Sequence, residues 1–151
     1  MNALQNVKLV SVTPPAAIVD NAAYTTAEID TYGFDYLTVI AYLGATDIAM
    51  TALKLTESDS SGSGHADISG ADFSSGTDID GSAAALPAAD DDNKFFAFQV
   101  DLRGRKRYID VSATAGDGAA GTFCSILAVL SRAGEAPNTV SEAGCGGLIR
   151  L

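Results

Sequence analysis

The sequence predicts an all-β fold: one antiparallel β-sandwich, jelly-roll-like, with an immunoglobulin-like sandwich as the alternative topology. Segment after segment alternates apolar with polar or small residues at a period of two, the signature of a half-buried strand. The segments end at Gly, Pro or Ser/Asp clusters at short intervals, and no sustained helical period runs through the chain. The 47% hydrophobic content contains only 7% aromatics, so the core is expected to be layers of small aliphatic side chains.

A chain of 151 residues accommodates one domain with its own core but not two ordinary ones. The predicted organisation is a single domain over 1–151, with an extended N-terminal segment (1–15) and a flexible C-terminal tail (137–151). "VKLVSVTPP" reads as a strand or extended arm stopped by Pro14 and Pro15, and "YTTAEIDTYG" as a second strand closed by Gly33. "YLTVIAYLG" is the clearest strand, with Leu37, Val39, Ala41 and Leu43 on one face. "DIAMTALKLTES" follows, placing Ile48, Met50 and Ala52 opposite Ala49, Thr51, Leu53 and Leu55.

From 58 to 93 the composition shifts to Ser, Gly, Asp and Ala, with Ile68, Phe73, Ile79 and Leu86 expected to pin this stretch to the body. "KFFAFQVDL" resumes the alternation with Phe96, Phe98, Val100 and Leu102 inward, and "RYIDVSATAG" aligns Arg107, Ile109, Val111 and Ala113. Arg103-Gly104-Arg105 between them reads as a tight hairpin, because glycine takes the positive φ such a turn demands. "TFCSILAVLSRAG" is a buried-looking run. Strand is preferred over helix because Thr122, Phe123, Cys124, Ile126 and Val129 form helices poorly, and Gly118 and Gly121 precede them as turn signals. The tail "EAPNTVSEAGCGGLIRL" has little core potential.

Nineteen carboxylates against nine bases give a formal net charge of −10, which argues against nucleic acid and anionic membrane as partners, since both require cations. No apolar run approaches the roughly 20 residues that span a bilayer, and the first ten residues lack the pattern of a signal peptide; synthesis in a host cytoplasm is expected. Cys124 and Cys145 lack metal or redox spacing and are expected to be free thiols, Cys124 within an apolar strand. His65 is the one histidine and sits in a polar loop as a solvated residue, with no partner set for a nucleophilic triad or zinc site. Asp78, Asp80, Asp90, Asp91 and Asp92 lie close in sequence but lack the spacing and closing Glu of a calcium loop. Neither a metal nor a cofactor is expected, and no enzymatic activity.

Four of the nine bases, Arg103, Arg105, Lys106 and Arg107, fall within "DLRGRKRYIDV". They are the candidate partner-binding residues, as Arg forks give directional bonds to carboxylates. The competing assignment leaves Arg103 and Arg105 as solvated turn residues and pairs Lys106 and Arg107 with acids across the sheet, Asp101 and Asp110 being the candidates.

"YLTVIAYLGATDIAMTALKLTESDSSGSGHADISGADFSSGT", then "FQVDLRGRKRYIDVSATAGDG" and a strand ending "LSRAGEAPNT", resembles the capsid cement or decoration proteins of tailed bacteriophages over 36–139. The resemblance implies a non-enzymatic sandwich on the outer surface of the virion shell. It also implies a homo-oligomer, dimer or trimer, that bridges subunits of the major capsid protein. A tail or neck carbohydrate- or receptor-binding module, using the loop 58–93, is the alternative.

Overall fold

The alternation in "YLTVIAYLG" becomes the central strand of the molecule. The computed structural model describes residues 4–149. In it, strand β3 runs Phe34–Thr46 with Leu37, Val39, Ala41 and Leu43 all buried. Around it are β1 (Val7–Thr13), β2 (Ile29–Asp30), β4 (Ala52–Ser58), β5 (Ala66–Asp72), β6 (Phe95–Asp101), β7 (Tyr108–Thr114) and β8 (Thr122–Ala133). No helix occurs among the described residues, so "TFCSILAVLSRA" is the strand its β-branched and aromatic residues predict.

Two four-stranded antiparallel sheets pack as a sandwich, in the orders β1-β8-β3-β6 and β2-β7-β4-β5. The first strand pairs with the last, β2 with β7, β3 with β6 and β4 with β5. This is a long hairpin wrapped on itself, with β3–β8 and β4–β7 ladders knitting the wrap into sheets. The arrangement is a jelly roll. An immunoglobulin sandwich keeps its first two strands in one sheet, whereas here β1 and β2 belong to different sheets.

Wrapping explains where local readings depart from the structure. The expected hairpin at Arg103-Gly104-Arg105 is instead a corner that carries the chain from β6 in the first sheet to β7 in the second. Its local geometry is as expected: Gly104 has φ 81° and Arg105 N–H donates to the Leu102 carbonyl at 3.0 Å, the positive φ of a type II turn at its third position. The long second strand shrinks to Ile29–Asp30 because the chain ahead of it straddles the sandwich edge. Tyr24 N–H bonds to Ala113 in one sheet and Ala27 N–H to Val12 in the other. Strand β4 starts only at Ala52, leaving Ile48 exposed while Leu53 and Leu55 enter the core.

Stretch 58–93 is pinned by Ile68, Phe73, Leu86 and the fully buried Pro87. Ile79 is not an anchor: it is 100% exposed at the tip of a small excursion closed by the Thr77–Ala83 bridge. At the termini, Val7–Thr13 of the N-terminal segment is an edge strand. A turn around Ala143 docks on it, Leu9 N–H donating to the Ala143 carbonyl at 2.9 Å. Gly144 permits this approach, since a Cβ there would strike the Leu9 carbonyl. Arg150 and Leu151 of the tail lie outside the described residues.

The core joins both sheets, with Leu37, Leu43 and Leu130 from the first facing Leu53, Leu55 and Ile109 from the second, all at 0% exposure. Tyr24 reaches in and donates its hydroxyl to the Thr122 carbonyl at 2.6 Å; burial raises its pKa. Both cysteines are free, and burial pushes the Cys124 thiol up to about 11. Leu37→Ala is expected to cost about 2–5 kcal/mol through the cavity it opens, and Ile79→Ser to stay within about 0.5 kcal/mol of wild type. Urea unfolding midpoints check both.

Candidate interaction surfaces

The four bases singled out in the sequence come together at the β6–β7 corner, and each meets a carboxylate. Arg103 forks onto Asp101, with Nη2 to Oδ2 at 2.5 Å and Nε to Oδ1 at 2.9 Å. Arg107 makes a second fork onto Asp30, at 2.8 Å for both Nε and Nη2. Its guanidinium also lies 4.8 Å from the Tyr32 ring centre and 5.0 Å from that of Tyr108, within cation–π range. Although Arg107 shares a strand face with Ile109 and Val111, it stands beyond the end of the core and is exposed. Arg105 and Lys106 are held less closely, each 3.5 Å from an acid, Glu57 and Asp59 respectively. Of the two acids expected to pair with Lys106 and Arg107, Asp101 is a partner, but of Arg103, the expected solvated turn residue. Asp110 is not: it accepts from the Thr26 hydroxyl and the Val111 N–H.

The corner is therefore a patch of alternating charge. Bidentate Arg–carboxylate pairs are the strong members, so the Arg103 and Arg107 forks are committed to their own chain. The long contacts of Arg105 and Lys106 leave donors free to turn outward. The Arg103 side chain, followed by its backbone N–H, holds the Asp101 carboxyl down to about 2. The Arg107 fork likewise lowers Asp30.

His65 is not the solvated loop residue expected. Its Nε2 lies 3.1 Å from Glu28, whose carboxylate also accepts from the Ser61 hydroxyl at 2.6 Å and the Gly62 N–H at 2.8 Å. These two hydrogen bonds, the hydroxyl foremost, lower the Glu28 pKa. The clustered aspartates act as acceptors: Asp80 takes Ser82 and Asp91 the Ala88 N–H and Lys94 within their own turns, while Asp92 takes the Thr46 N–H and ties its loop to the end of β3. Among the described residues no three His, Cys, Asp or Glu side chains converge as a metal-ion site.

A second surface was not singled out in the sequence: the outer face of the β1-β8-β3-β6 sheet. Directly paired residues share a face, and Val39, Ala128 and Leu130 point inward. Their neighbours therefore point out: Thr38, Ile40 and Tyr42 on β3, and Phe123, Ser125, Leu127 and Val129 on β8. Leu9 and Ser11 of β1 and Phe95, Ala97 and Gln99 of β6 extend the same face. None of these residues is charged; the series meets a carboxylate only at Asp101, at the corner end of β6 opposite Tyr36. Tyr42 and Phe95 stack at 4.5 Å, and Phe95 is 67% exposed. The second sheet's outer face, by contrast, carries Lys54, Thr56, Asp110 and Ser112 along its paired β4 and β7. Four strands about 4.8 Å apart and about 20 Å long make a face of roughly 400 Å², mixed apolar and polar, comparable in size to the largest patch on an ordinary monomer, which is often functional. The signal is present in the sequence. "YLTVIAYL" and "ILAVL" are nearly unbroken apolar runs, as strands covered on both faces are.

The fold and these surfaces define an eight-stranded jelly roll with one outer face that is uncharged up to Asp101 and a charge-paired corner at that end. No family model matches the sequence, and no curated protein matches it. Among solved structures, the SPBc2 prophage-derived protein YomS is similar, with a TM-score of 0.46 and 13% sequence identity over 87% of this chain and 98% of that one. Among the described residues no helix is long and apolar enough to cross a membrane.

Arg107→Ala removes a fork and two ring contacts and is expected to lower the melting temperature, whereas Arg105→Ala, with one long contact, leaves it nearly unchanged. Calorimetry distinguishes them. The depressed carboxylates set the acid response: Asp101 titrates at about 2 when folded against about 3.9 when unfolded. Its contribution is present above the unfolded value and is lost as pH falls through the folded one. Urea midpoints are expected to drop between about pH 4 and pH 2, and Asp101→Asn to flatten that slope.

Proposed function

We propose that this chain is a virion structural protein: a cement or decoration protein that binds the outside of a phage shell and stabilises it by bridging major capsid protein subunits. It acts as a homo-oligomer, dimer or trimer, without catalysis. The observation that carries this reading is the outer face of the β1-β8-β3-β6 sheet, uncharged around Ile40, Tyr42 and Leu127 and reaching a carboxylate only at Asp101 on the corner end. On a chain of net charge −10, most surfaces of two copies repel; this face is where copies meet without placing like charges together. A repeated self-complementary contact builds a closed oligomer, which presents its remaining surfaces to the shell in several copies. Each contact is then multiplied by avidity, and binding only the assembled shell shifts assembly toward it.

Under this reading the β6–β7 corner contributes Arg105 and Lys106 to shell carboxylates, while Arg103 and Arg107 hold the corner in shape. The sequence resemblance to cement proteins and the jelly-roll topology support the same role.

Leu127 stands exposed at the centre of the neutral face. Leu127→Asp is expected to convert the oligomer to a folded monomer by sedimentation velocity and to reduce shell occupancy. In purified particles, quantitative mass spectrometry is expected to find hundreds of copies per shell. A handful of copies, or none, overturns the cement role.

A further inference from the structure

Each sheet of the sandwich has two edges, and three of the four are protected. The β1 edge receives the Ala143 turn through Leu9 N–H. β2 is two residues long, and β5 carries Asp67 and Asp72 with Gly70 between them. Short, charged or covered edges are the usual defences against unwanted pairing. The β6 edge has none of them before its last residue, Asp101, which the Arg103 fork already holds. Residues 95–100 read "FFAFQV", with no charge and no proline.

The direction of its free backbone groups follows from the ladder. Leu43 N–H donates to the Lys94 carbonyl at 3.0 Å and Leu102 N–H to the Asp35 carbonyl at 2.9 Å. Hydrogen-bonded pairs alternate along an antiparallel ladder, so even-numbered residues of β6 bond to β3. The N–H and C=O groups of Phe95, Ala97 and Gln99 point away from it. They face a groove of about 760 Å³. Residues 95–100 all line it, inward- and outward-facing alike, which requires a groove running along the strand edge. Phe73 closes its floor, edge-on to Phe96 and Phe98 at 5.4 and 4.9 Å. The opposite wall is the end of β5 and the excursion bearing the fully exposed Ile79.

The groove is also charged on one side. Its lining includes Asp72, Asp78 and Asp91 but no Lys or Arg. Asp91 is paired with Lys94, whereas Asp72 and Asp78 make no ion pair among the described residues.

We propose that this groove accepts an extended segment of a partner protein in which Lys or Arg alternates with apolar residues, added as a fifth strand beside β6. Its backbone completes the free groups of Phe95, Ala97 and Gln99, its apolar side chains cover Phe73 and Phe96, and its cations meet Asp72 and Asp78. Main-chain pairing supplies affinity and the alternate side chains supply selectivity. This recognition stands independently of the capsid role: a partner arm of this chemistry binds whether or not the chain sits on a shell.

The test uses the full chain and two short peptides, one alternating valine with lysine and one alternating valine with glutamate, titrated by calorimetry. The lysine peptide is expected to bind and the glutamate peptide to bind about tenfold more weakly or not at all. Asp72→Asn with Asp78→Asn is expected to remove that preference. Ala97→Pro deletes an outward N–H at a position where an edge strand tolerates proline, and is expected to abolish binding with the β-sheet circular dichroism intact. Hydrogen exchange on the wild-type protein gives an independent readout, with amides of Phe95, Ala97 and Gln99 becoming protected on peptide addition. Equal binding of both peptides, failure of the lysine peptide to bind, or unprotected β6 amides overturns the proposal. So does a wild-type oligomer that Ala97→Pro dissociates while the peptide stays excluded, for then a second copy fills the groove.

Discussion

The ladder between β3 and β8 is the interaction on which the rest of the molecule depends. It runs from Phe34 opposite Ala133 to Thr46 opposite Thr122, with one irregularity after Leu43. These two strands are the middle of the first sheet, flanked by β1 and β6. One register therefore fixes two surfaces together: Leu37, Val39, Ala128 and Leu130 toward the core, and Ile40, Tyr42, Leu127 and Val129 outward. In most sheets a one-residue slip exposes apolar side chains and is rejected on that ground. Here both faces of both strands are apolar, so hydrophobicity alone discriminates the register weakly. The specifying contacts lie at the rim, where the Tyr24 hydroxyl is held on the Thr122 carbonyl and Gly134 N–H on the Gly33 carbonyl.

The acidic charge is distributed in a way that complements this arrangement. Carboxylates stabilise turns at Asp80 and Asp91, tie the Asp92 loop to the end of β3, join the 59–65 turn to Glu28, and pair with every base of the corner. On the paired strands of the first sheet's outer face they are confined to Asp101, at the corner end opposite Tyr36. Most charges thus act within the chain or in solvent, and the neutral face and the β6 edge are left as surfaces where burial of apolar area and backbone pairing dominate.

Much of the fold was legible in the residues. Period-two alternation and turn chemistry located the long strands, because burial of one side chain in two is a local property. "YTTAEIDTYG" failed as a strand because its backbone partners sit in two different sheets, a fact that exists only once the wrap has formed. The corner was mistaken for a hairpin for the same reason: Gly104 specifies a tight turn but not whether the strands it joins share a sheet. The basic cluster was found, yet three of its four acids, Asp30, Glu57 and Asp59, come from segments remote in sequence and were invisible. The neutral face lay in plain view as continuous apolar runs, but such runs satisfy a buried strand and an exposed interface equally well.

The first-with-last pairing of β1 and β8 carries a consequence for biogenesis. During synthesis β1 leaves the ribosome first, while the strand that completes its pairing starts at Thr122, more than 100 residues later. Until then the first sheet cannot close, and β3, which lies beside β8 in it, waits with an unpaired edge. Non-local pairing of this kind is slow and vulnerable to aggregation. The first sheet is therefore completed in a late step, and a nascent chain stalled before β8 leaves β1 and β3 without the strand that joins them.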